Sequence, residues 1–305
     1  MMAKGLEKRI LGSTGAAVTF LGFGALEIGR DWGLGSLEER KRPENEEADD
    51  TLNSVLDLGI NLIDTARAYH RSEERIGRYI SHRRNEYFLA SKCGEHSTEP
   101  STYYDFSYEA VKSSIDLSLK TLKTDCIDLM QIHFGPEPER VLETGETLKA
   151  MQDARDEGKV KFLGASIYGQ VAKDCIESGA FDVMQLDYSL LNTKDTELIE
   201  SCGHKKIGVL LRGGLGYGRL TPRVMAHLDK ETPSNQKKIN AFLELLGGDA
   251  QKLTALALLF IYENPYITSV LAGTRTASHV RTNINLLEES LDPGLLIKAK
   301  EIANS

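Results

Sequence analysis

Four side chains in the first half of the chain have the chemistry needed to move a proton to or from a carbonyl oxygen: Asp64, Tyr69, Lys92 and His133. A tyrosine with its ordinary pKa of about 10 donates and accepts protons poorly near neutrality. A lysine ammonium beside it stabilises the phenolate, and an aspartate paired with the lysine keeps that ammonium charged and fixed. A histidine opposite can hydrogen-bond to the carbonyl oxygen and orient it. The set therefore suits carbonyl reduction, which needs a hydride at carbon and a proton at oxygen.

Taken one at a time, each of the four residues has an ordinary structural interpretation. Asp64 precedes a threonine and is a good turn residue. Tyr69 is compatible with half-buried aromatic packing, and Lys92 with a surface charge at a strand end. His133 is compatible with a hydrogen-bonded histidine in the core. The four are informative as a set, because they fall at or just after the ends of three consecutive predicted strands.

These strands belong to an alternating pattern that covers the chain. Short apolar runs alternate with longer helical patterns, and the runs are continuous, as is typical of parallel strands covered on both faces. The eight runs are FLGFGAL, NLIDT, YFLASK, CIDLMQIH, KFLGAS, FDVMQLD, IGVLLR and ITSVLAG. Eight such units in 305 residues favour a barrel over a doubly wound sheet. We predict one α/β domain over residues 1–305, a (β/α)8 TIM barrel.

The remaining segments predict the helices, a hairpin and two long loops. Helical periodicity is present at residues 45–58, 72–81, 107–122, 142–157, 170–178, 197–204, 237–246, 253–262, 278–289 and 293–303. Residues 9–19 predict a short N-terminal β-hairpin. The irregular segments 29–47 and 213–236 are compatible with ordinary surface loops. In a barrel, however, both follow strands and would lie over the C-terminal face, where sites are built.

A barrel brings the C-terminal ends of all its strands to one mouth. Ser166 ends the fifth predicted strand, Gln185 lies within the sixth and Arg212 ends the seventh, while Gly273 and Thr274 follow the eighth. The aspartate, tyrosine, lysine and histidine would meet there around a common centre, which no single sequence spacing could indicate.

The composition argues against several classes of protein. The chain has 37 basic and 45 acidic side chains and a formal net charge of −8, unlike a dedicated nucleic-acid binder. No apolar signal segment and no run of about 18 apolar residues is present, so neither secretion nor membrane spanning is expected. The four cysteines are widely spaced, and no cluster suggests a metal site. We expect a reduced, cytoplasmic protein without nucleic-acid or membrane partners, of unknown oligomeric state.

Several segments resemble the aldo-keto reductase family. In chain order they are GINLIDTARAYHRSEERIG, LASKCG, DLMQIHFGP, GKVKFLGASIYG, VMQLDYSLLN and VLAGTRTASHVRTNI. Together with GFGAL they extend over residues 22–283, and the aspartate-to-tyrosine segment followed by S-E-x-x-I-G is a specific signature. The resemblance implies that Asp64, Tyr69, Lys92 and His133 form the family's catalytic tetrad, with Tyr69 as the general acid.

The resemblance also implies a (β/α)8 barrel and a nicotinamide dinucleotide, usually NADPH, bound over its mouth without a Rossmann domain. The sequence accordingly has no G-x-G-x-x-G motif. Ser166 and Gln185 match the positions that hold the nicotinamide carboxamide, although Ile167 replaces the family's usual asparagine. Arg212 stands where many members stack an aromatic ring on the nicotinamide, and its charge would disfavour the oxidised ring. Further contacts at this end are expected from Gly24, Ala25 and Asp64.

The rest of the expected cofactor site lies in the last third of the chain. The loop that covers the pyrophosphate corresponds to Gly213, Leu215 and Gly216, where glycine permits close backbone approach. The adenosine end corresponds to Gly273, Thr274, Arg275 and Asn283. His279 occupies a position where an arginine often binds the 2′-phosphate, and Arg275 or Arg281 can compensate. NADP(H) is therefore the favoured cofactor, with NAD(H) as the alternative.

Three functions are compatible with these observations. The leading one is an NAD(P)(H)-dependent oxidoreductase that interconverts aldehydes or ketones and alcohols, acting on a small-molecule substrate. The second is a cofactor-binding regulatory subunit of the same family with little turnover, although no docking tail is evident. The third makes Lys92 the Schiff-base lysine of a barrel aldolase. The ordered cofactor motifs argue against the third.

Overall fold

The computed structural model describes residues 3–289 and 291–305. Its strands, numbered along the chain, are β1 (Lys8–Ile10), β2 (Ala17–Thr19), β3 (Leu21–Gly24), β4 (Leu62–Asp64), β5 (Phe88–Cys93), β6 (Glu95–Thr98), β7 (Ser101–Tyr104), β8 (Ile127–His133), β9 (Val160–Ser166), β10 (Val183–Asp187), β11 (Gly208–Arg212) and β12 (Ser269–Gly273).

Eight of these strands form a closed parallel barrel, in the order β3, β4, β5, β8, β9, β10, β11 and β12, with β12 pairing back to β3. The predicted (β/α)8 TIM barrel is confirmed. The predicted N-terminal hairpin is also present, as the antiparallel pair β1 and β2. It covers the N-terminal end of the barrel, where Ser13 N donates to Lys206 O at 2.7 Å.

The helices surround the barrel. They are α1 (Leu26–Gly29), α2 (Leu37–Arg40), α3 (Asn45–Asp57), α4 (Ser72–Tyr79), α5 (Tyr108–Leu122), α6 (Pro138–Thr144), α7 (Glu146–Asp156), α8 (Gly169–Ser178), α9 (Thr196–Lys205), α10 (Pro233–Leu245), α11 (Lys252–Tyr262), α12 (Ala277–Leu287) and α13 (Pro293–Ala303). None of the helices in the described part of the chain is long and apolar enough to cross a membrane.

Two details differ from the sequence-based expectations. The helix predicted at 142–157 is two helices, α6 and α7, because Gly145 between them has φ 66°, in the left-handed region that glycine tolerates. The second difference is the antiparallel pair β6 and β7, which leaves the barrel directly after β5. No pattern in the sequence predicts this hairpin, which lies beside the candidate site.

The interior of the barrel changes from apolar to polar along each strand. Because strand side chains alternate, every second residue points inward. On β5 the inward set is Phe88, Ala90 and Lys92, and on β8 it ends with Gln131 and His133. The lower layers pack as a small apolar cluster, in which the Phe88 and Phe162 rings are stacked. The polar residues therefore form the uppermost layers, at the C-terminal mouth.

The first turn after β3 is packed directly against the segment that carries Tyr69. Gly29, the last residue of α1, is buried, and a Cβ placed on it would lie 2.2 Å from Tyr69 O and 2.4 Å from Ser72 N. These neighbours are backbone atoms that cannot move aside cheaply. Only glycine permits this approach, so Gly29 fixes how closely the Tyr69 segment lies against the barrel.

Gly29→Ala should therefore destabilise the protein by roughly 1–3 kcal/mol, the usual cost of overpacking a well-packed site. Urea unfolding followed by circular dichroism would measure the change in the free energy of unfolding. Gly294→Ala, on the exposed first turn of α13, is the matched control and should be neutral or slightly stabilising. Equal stability of both variants would contradict the proposed packing constraint.

Candidate active site

The centre of the mouth is a buried ion pair between Asp64 and Lys92, which are 3% and 1% exposed. Lys92 Nζ lies 2.5 Å from Asp64 Oδ2 and also donates to Thr65 O at 3.0 Å. The other carboxylate oxygen, Oδ1, accepts hydrogen bonds from Gln131 Nε2 and Gln185 Nε2, both at 2.9 Å. The aspartate is thus held by side chains from three other strands, β5, β8 and β10.

Tyr69 lies on the turn that follows β4, and its ring packs over the lysine. The Lys92 ammonium is 4.9 Å from the centroid of the Tyr69 ring. The Tyr69 ring also meets the ring of His133 edge to face, with centroids 5.9 Å apart. The structure therefore brings the four residues of the predicted tetrad together around one point, as the barrel topology required.

The turn that presents Tyr69 is held by the residues directly after it. Ser72 Oγ donates to Ala25 O at 2.8 Å and accepts from Thr65 Oγ1 at 2.8 Å, so the turn is tied to the residues that follow β3 and β4. Glu73, only 1% exposed, accepts from Arg67 Nη1 at 2.9 Å and from Ser91 Oγ at 2.7 Å. The serine and glutamate of the S-E-x-x-I-G segment thus position the tyrosine.

Burial and charge act in opposite directions on the two central groups. Burial raises the pKa of the Tyr69 phenol, while Lys92 lowers it, and the net pKa is raised. Lys92 thus shifts the pKa of Tyr69 in the expected direction, but the effect of burial is larger. For Lys92 itself burial lowers the pKa, but Asp64 and Tyr69 outweigh burial, and the net pKa is raised. Near neutrality the lysine is therefore an ammonium and the tyrosine a neutral phenol.

His133 ends β8, where a second acidic residue meets it. Its Nδ1 lies 2.8 Å from Oε2 of Glu95, the first residue of β6. The carboxylate is close to Nδ1, but it is not aligned with the ring N–H direction, so the contact is electrostatic and not a linear hydrogen bond. Burial lowers the pKa of His133, Lys92 and Arg212 act in the same direction, and Glu95 opposes them. The net pKa is lowered, which keeps the imidazole neutral near pH 7.

Next to the tetrad, the residues expected at the nicotinamide end also lie together. Ser166 Oγ donates to Gln185 Oε1 at 3.2 Å. Gly24 is paired with Asp64 and Gly273 in the barrel ladder, and Ala25 N donates to Asp64 O at 2.8 Å. A serine hydroxyl and an amide oxygen side by side offer the donor and acceptor that a primary carboxamide needs.

Arg212 lies at the end of β11, on the same rim. Its guanidinium carbon is 5.9 Å from the centroid of the Tyr168 ring, and its buried Nε has no hydrogen-bond partner in the described structure. The turn after it begins at Gly213, with φ 68°, and Gly216, with φ 58°, donates from N to Gly213 O at 2.7 Å. Leu215 is half-buried within this turn. The two glycines, both with positive φ, give a tight turn, in which Gly213 is half-buried and Gly216 is buried.

At the predicted adenosine end, the Arg275 guanidinium is already bound by other residues of the chain. Its Nη1 donates to Glu39 O at 2.5 Å, its Nη2 donates to Trp32 O, and Glu27 Oε2 is 3.5 Å away. Thr274 and Asn283 are buried beside it, whereas His279 is exposed on α12, as is Arg281. Arg275 therefore binds the first long loop, and His279 and Arg281 are the basic side chains that α12 presents at its surface.

Three residues of the site, Gln131, Glu73 and Glu95, were not predicted from the sequence. Gln131 stands two residues before His133 on β8, so strand periodicity placed both on the inner face and was a usable signal. Glu73 belongs to the S-E-x-x-I-G motif, but its partner Ser91 lies on β5, so the sequence did not indicate their contact. Glu95 had no pattern signal at all, because its proximity to His133 depends on a hairpin that the sequence did not predict.

A separate cavity of about 480 Å³ lies at the opposite, N-terminal end of the barrel. Its charged walls are largely paired already, since Asp128 Oδ2 accepts from Arg84 at 2.6 Å and Asp128 Oδ1 from Lys161 at 2.7 Å. Sites on barrels of this fold are built at the other end. The described residues contain no group of three or more side chains suited to hold a metal ion. The mouth is therefore the candidate active site.

Comparisons with known proteins agree with the barrel, and a site at the C-terminal rim is usual for enzymes of this fold. The sequence model of the Aldo/keto reductase family matches residues 20–302, and the chain belongs to this family of oxidoreductases, whose members use nicotinamide cofactors.

Relatives and solved structures cover nearly the whole chain. L-galactose dehydrogenase of Arabidopsis thaliana is 30% identical over 300 residues, 93% of this chain and 89% of the relative. The NADH-specific methylglyoxal reductase of Escherichia coli is 25% identical over 330 residues, 98% and 99% of the two chains. The holo form of an aldo-keto reductase from Bacillus halodurans superposes with a TM-score of 0.80 at 25% identity, covering 97% and 96%.

Lys92→Met should destabilise the protein by about 3–5 kcal/mol, because it leaves the Asp64 carboxylate buried without its counter-charge. Urea unfolding gives the free energy of unfolding. The matched control is Lys300→Met, since Lys300 pairs with Glu263 at 2.8 Å while both side chains are nearly half exposed. That change should cost at most about 1 kcal/mol. A Lys92→Met variant as stable as the control would show that the buried pair does not constrain the fold.

Proposed function

We propose that this protein is an NAD(P)(H)-dependent oxidoreductase that interconverts small aldehydes or ketones and the corresponding alcohols. The observation that carries the proposal is the contact set at the mouth: a neutral phenol, Tyr69, packed against the buried Lys92–Asp64 ion pair and edge to face with His133. This set places a proton donor, a charge that stabilises its conjugate base and a hydrogen-bonding imidazole around one point.

The proposed roles follow from the environment of each group. In carbonyl reduction Tyr69 Oη gives its proton to the carbonyl oxygen, and the Lys92 ammonium stabilises the phenolate that remains. Asp64 keeps Lys92 charged and in place, and His133 orients the oxygen by a hydrogen bond. In alcohol oxidation the Tyr69 phenolate takes the hydroxyl proton back. The raised pKa of Tyr69, caused by burial, keeps it near neutrality in the protonated form that carbonyl reduction requires.

The residues at the rim suit a nicotinamide dinucleotide, which supplies or accepts the hydride when bound. The Ser166 hydroxyl and the Gln185 amide oxygen, adjacent and buried, would hold the carboxamide. The unpartnered Nε of Arg212 lies on the same rim. Gly213 and Gly216 would let the backbone approach the pyrophosphate. Ile167 offers no amide group, so Ser166 and Gln185 would hold the carboxamide without it.

For the adenosine end we propose NADP(H) as the preferred cofactor, with NAD(H) also used. The exposed His279 and Arg281 on α12 would face a 2′-phosphate near the helix N-terminus, which favours anions. Arg275 contributes less than its sequence position implies, because two backbone carbonyls and Glu27 already occupy its guanidinium. A single strong phosphate anchor is thus missing from the described residues, which predicts a modest preference.

The rim favours a small, polar substrate. Beside His133 it carries Glu95, and Arg30 Nη1 lies 4.0 Å from Glu95 Oε1. Trp32, 41% exposed, stacks near the Arg30 guanidinium, and Tyr104, also 41% exposed, stacks on Phe106. Charged groups interleaved with aromatic faces suit hydroxylated carbonyl compounds, such as aldoses and 2-oxoaldehydes, better than long apolar ones. The named substrates of the two relatives, L-galactose and methylglyoxal, are of this kind.

Tyr69→Phe should lower kcat for carbonyl reduction by roughly 10²–10⁴-fold, because it removes the proton donor, while the affinity for NADPH stays largely unchanged. The assay is NADPH consumption with methylglyoxal, aldoses and 4-nitrobenzaldehyde, together with fluorescence titration of the cofactor. The control is Tyr87→Phe, a buried tyrosine at the opposite end of the barrel whose hydroxyl has no partner among the described residues. Turnover retained in Tyr69→Phe would remove Tyr69 from its role.

His279→Arg should strengthen NADPH binding by roughly ten- to a hundredfold relative to NADH, since it adds charge-assisted hydrogen bonds worth about 1.5–3 kcal/mol. Fluorescence titration with both cofactors measures the ratio of dissociation constants. His82→Arg makes the same change at an exposed residue between α4 and β5, at the N-terminal end of the barrel, and should leave the ratio unchanged. An unaltered ratio in His279→Arg would show that the 2′-phosphate does not bind there.

A further inference from the structure

The hairpin formed by β6 and β7 brings a carboxylate to the back of His133. It departs from the barrel directly after β5, and Gly94 at the junction has φ 95°. A Cβ on Gly94 would lie 2.3 Å from the Phe106 ring, so only glycine allows the chain to turn here. Glu95 is the next residue, and its side chain is 8% exposed with Oε2 2.8 Å from His133 Nδ1.

The Glu95 carboxylate is held in this place by its own neighbours. Thr102 hydrogen-bonds to it from β7, Tyr104 opposite Glu95 in the hairpin also contacts it, and Arg30 lies 4.0 Å away. Burial raises the pKa of Glu95, but His133, Thr102 and Arg30 outweigh burial, and the net pKa is lowered. Glu95 is therefore a fixed negative charge near neutrality.

This contact decides which nitrogen of His133 carries a proton. An unprotonated Nδ1 would hold its negative partial charge 2.8 Å from a carboxylate oxygen, which is repulsive, whereas a protonated Nδ1 is attracted. Both effects depend on charge and distance, and neither requires a linear hydrogen bond. The proton of a neutral His133 then sits on Nδ1, and Nε2 is left with a free lone pair.

We propose that Glu95 is a positioning residue that keeps His133 protonated at Nδ1, so that Nε2 is the nitrogen that gains and loses a proton as the pH changes. This inference rests on the proposed function. With His133 protonated, Nε2–H donates a hydrogen bond to the carbonyl oxygen, and Tyr69 transfers its proton to that oxygen. With His133 neutral, Nε2 carries no proton and this hydrogen bond is lost. The hairpin thereby makes the orientation of the carbonyl oxygen depend on the protonation of His133.

Groups from four parts of the structure surround His133, and the charged ones among them set its pKa. Glu95 on the hairpin faces it from behind, Lys92 on β5 and Arg212 on β11 act on it as positive charges, and Tyr69 packs against its ring. Only Glu95 among these raises the pKa of His133. Removing the Glu95 charge must therefore lower that pKa further. The protonated form of His133 would then require more acidic solution.

The test is Glu95→Gln, which keeps the size of the side chain and removes its charge. Ring nitrogens are followed by long-range ¹H–¹⁵N NMR of the cofactor-free protein between about pH 4 and 8. His133→Asn identifies the signals. The proposal expects a wild-type ring protonated at Nδ1 throughout, with Nε2 changing, and a lower midpoint in Glu95→Gln. Neutral wild-type His133 protonated at Nε2, or equal midpoints in both proteins, would overturn it.

Glu99→Gln is the matched control, because Glu99 lies at the tip of the same hairpin and pairs with Arg42. It should leave the His133 midpoint in place, and an equal change of midpoint in both variants would overturn the specific role of Glu95. If Glu95→Gln fails to fold, the wild-type tautomer still decides, since protonation at Nε2 in neutral His133 contradicts the proposal by itself.

The pH profiles of kcat/KM give a second readout. In Glu95→Gln the decline of kcat/KM for carbonyl reduction with rising pH should move to lower pH. At a pH above both midpoints, a His133 pKa that is lower by about 1 makes reduction about tenfold slower. Turnover with unmoved profiles and NMR signals would overturn the inference and leave the proposed function standing. Displaced NMR midpoints without turnover on any substrate would support the inference and refute the proposed function.

Discussion

The buried ion pair between Asp64 and Lys92 is the constraint on which the mouth of the barrel depends. Two charges removed from water are costly unless their remaining hydrogen-bonding capacity is also used. Here Gln131, Gln185 and the carbonyl of Thr65 complete that set. The requirement joins β4, β5, β8 and β10 at one level, so the pair acts as a polar layer on top of the apolar interior. Its position also determines where Tyr69 can rest.

Around this charged centre, the groups that would meet a substrate are neutral near pH 7. Burial raises the pKa of Tyr69 and lowers that of His133, so both lose their charged forms in the same low-dielectric surroundings. The ionic groups lie behind them, with Lys92 beneath the tyrosine and Glu95 behind the histidine. Fixed charges thus tune the protonation of the donors and acceptors that would meet the substrate.

How much was predictable from sequence depends on whether a feature is local or set by distant partners. Continuous apolar runs ending in polar residues were sufficient for the barrel and for the convergence of Asp64, Lys92 and His133. The hairpin at Glu95 has no apolar alternation, and its contacts are with other strands. The break at Gly145 was invisible because a single glycine is tolerated within a helical pattern. The engagement of Arg275 by Trp32 and Glu39 depends on a loop more than two hundred residues away in sequence.

The complete site can form only when the barrel closes. The barrel closes at a seam, the pairing of β3 with β12, in which Gly24 pairs with Gly273. This seam joins segments from nearly opposite ends of the polypeptide. Pairing strands so far apart in sequence has a high entropic cost of loop closure, so it is expected to form later than local contacts. The groups expected to hold a nucleotide flank this seam, while the ion pair lies on strands near the N-terminus. A folding intermediate with an open seam would contain the proton-transfer residues but no complete binding groove, so function would arise only with the final cooperative step.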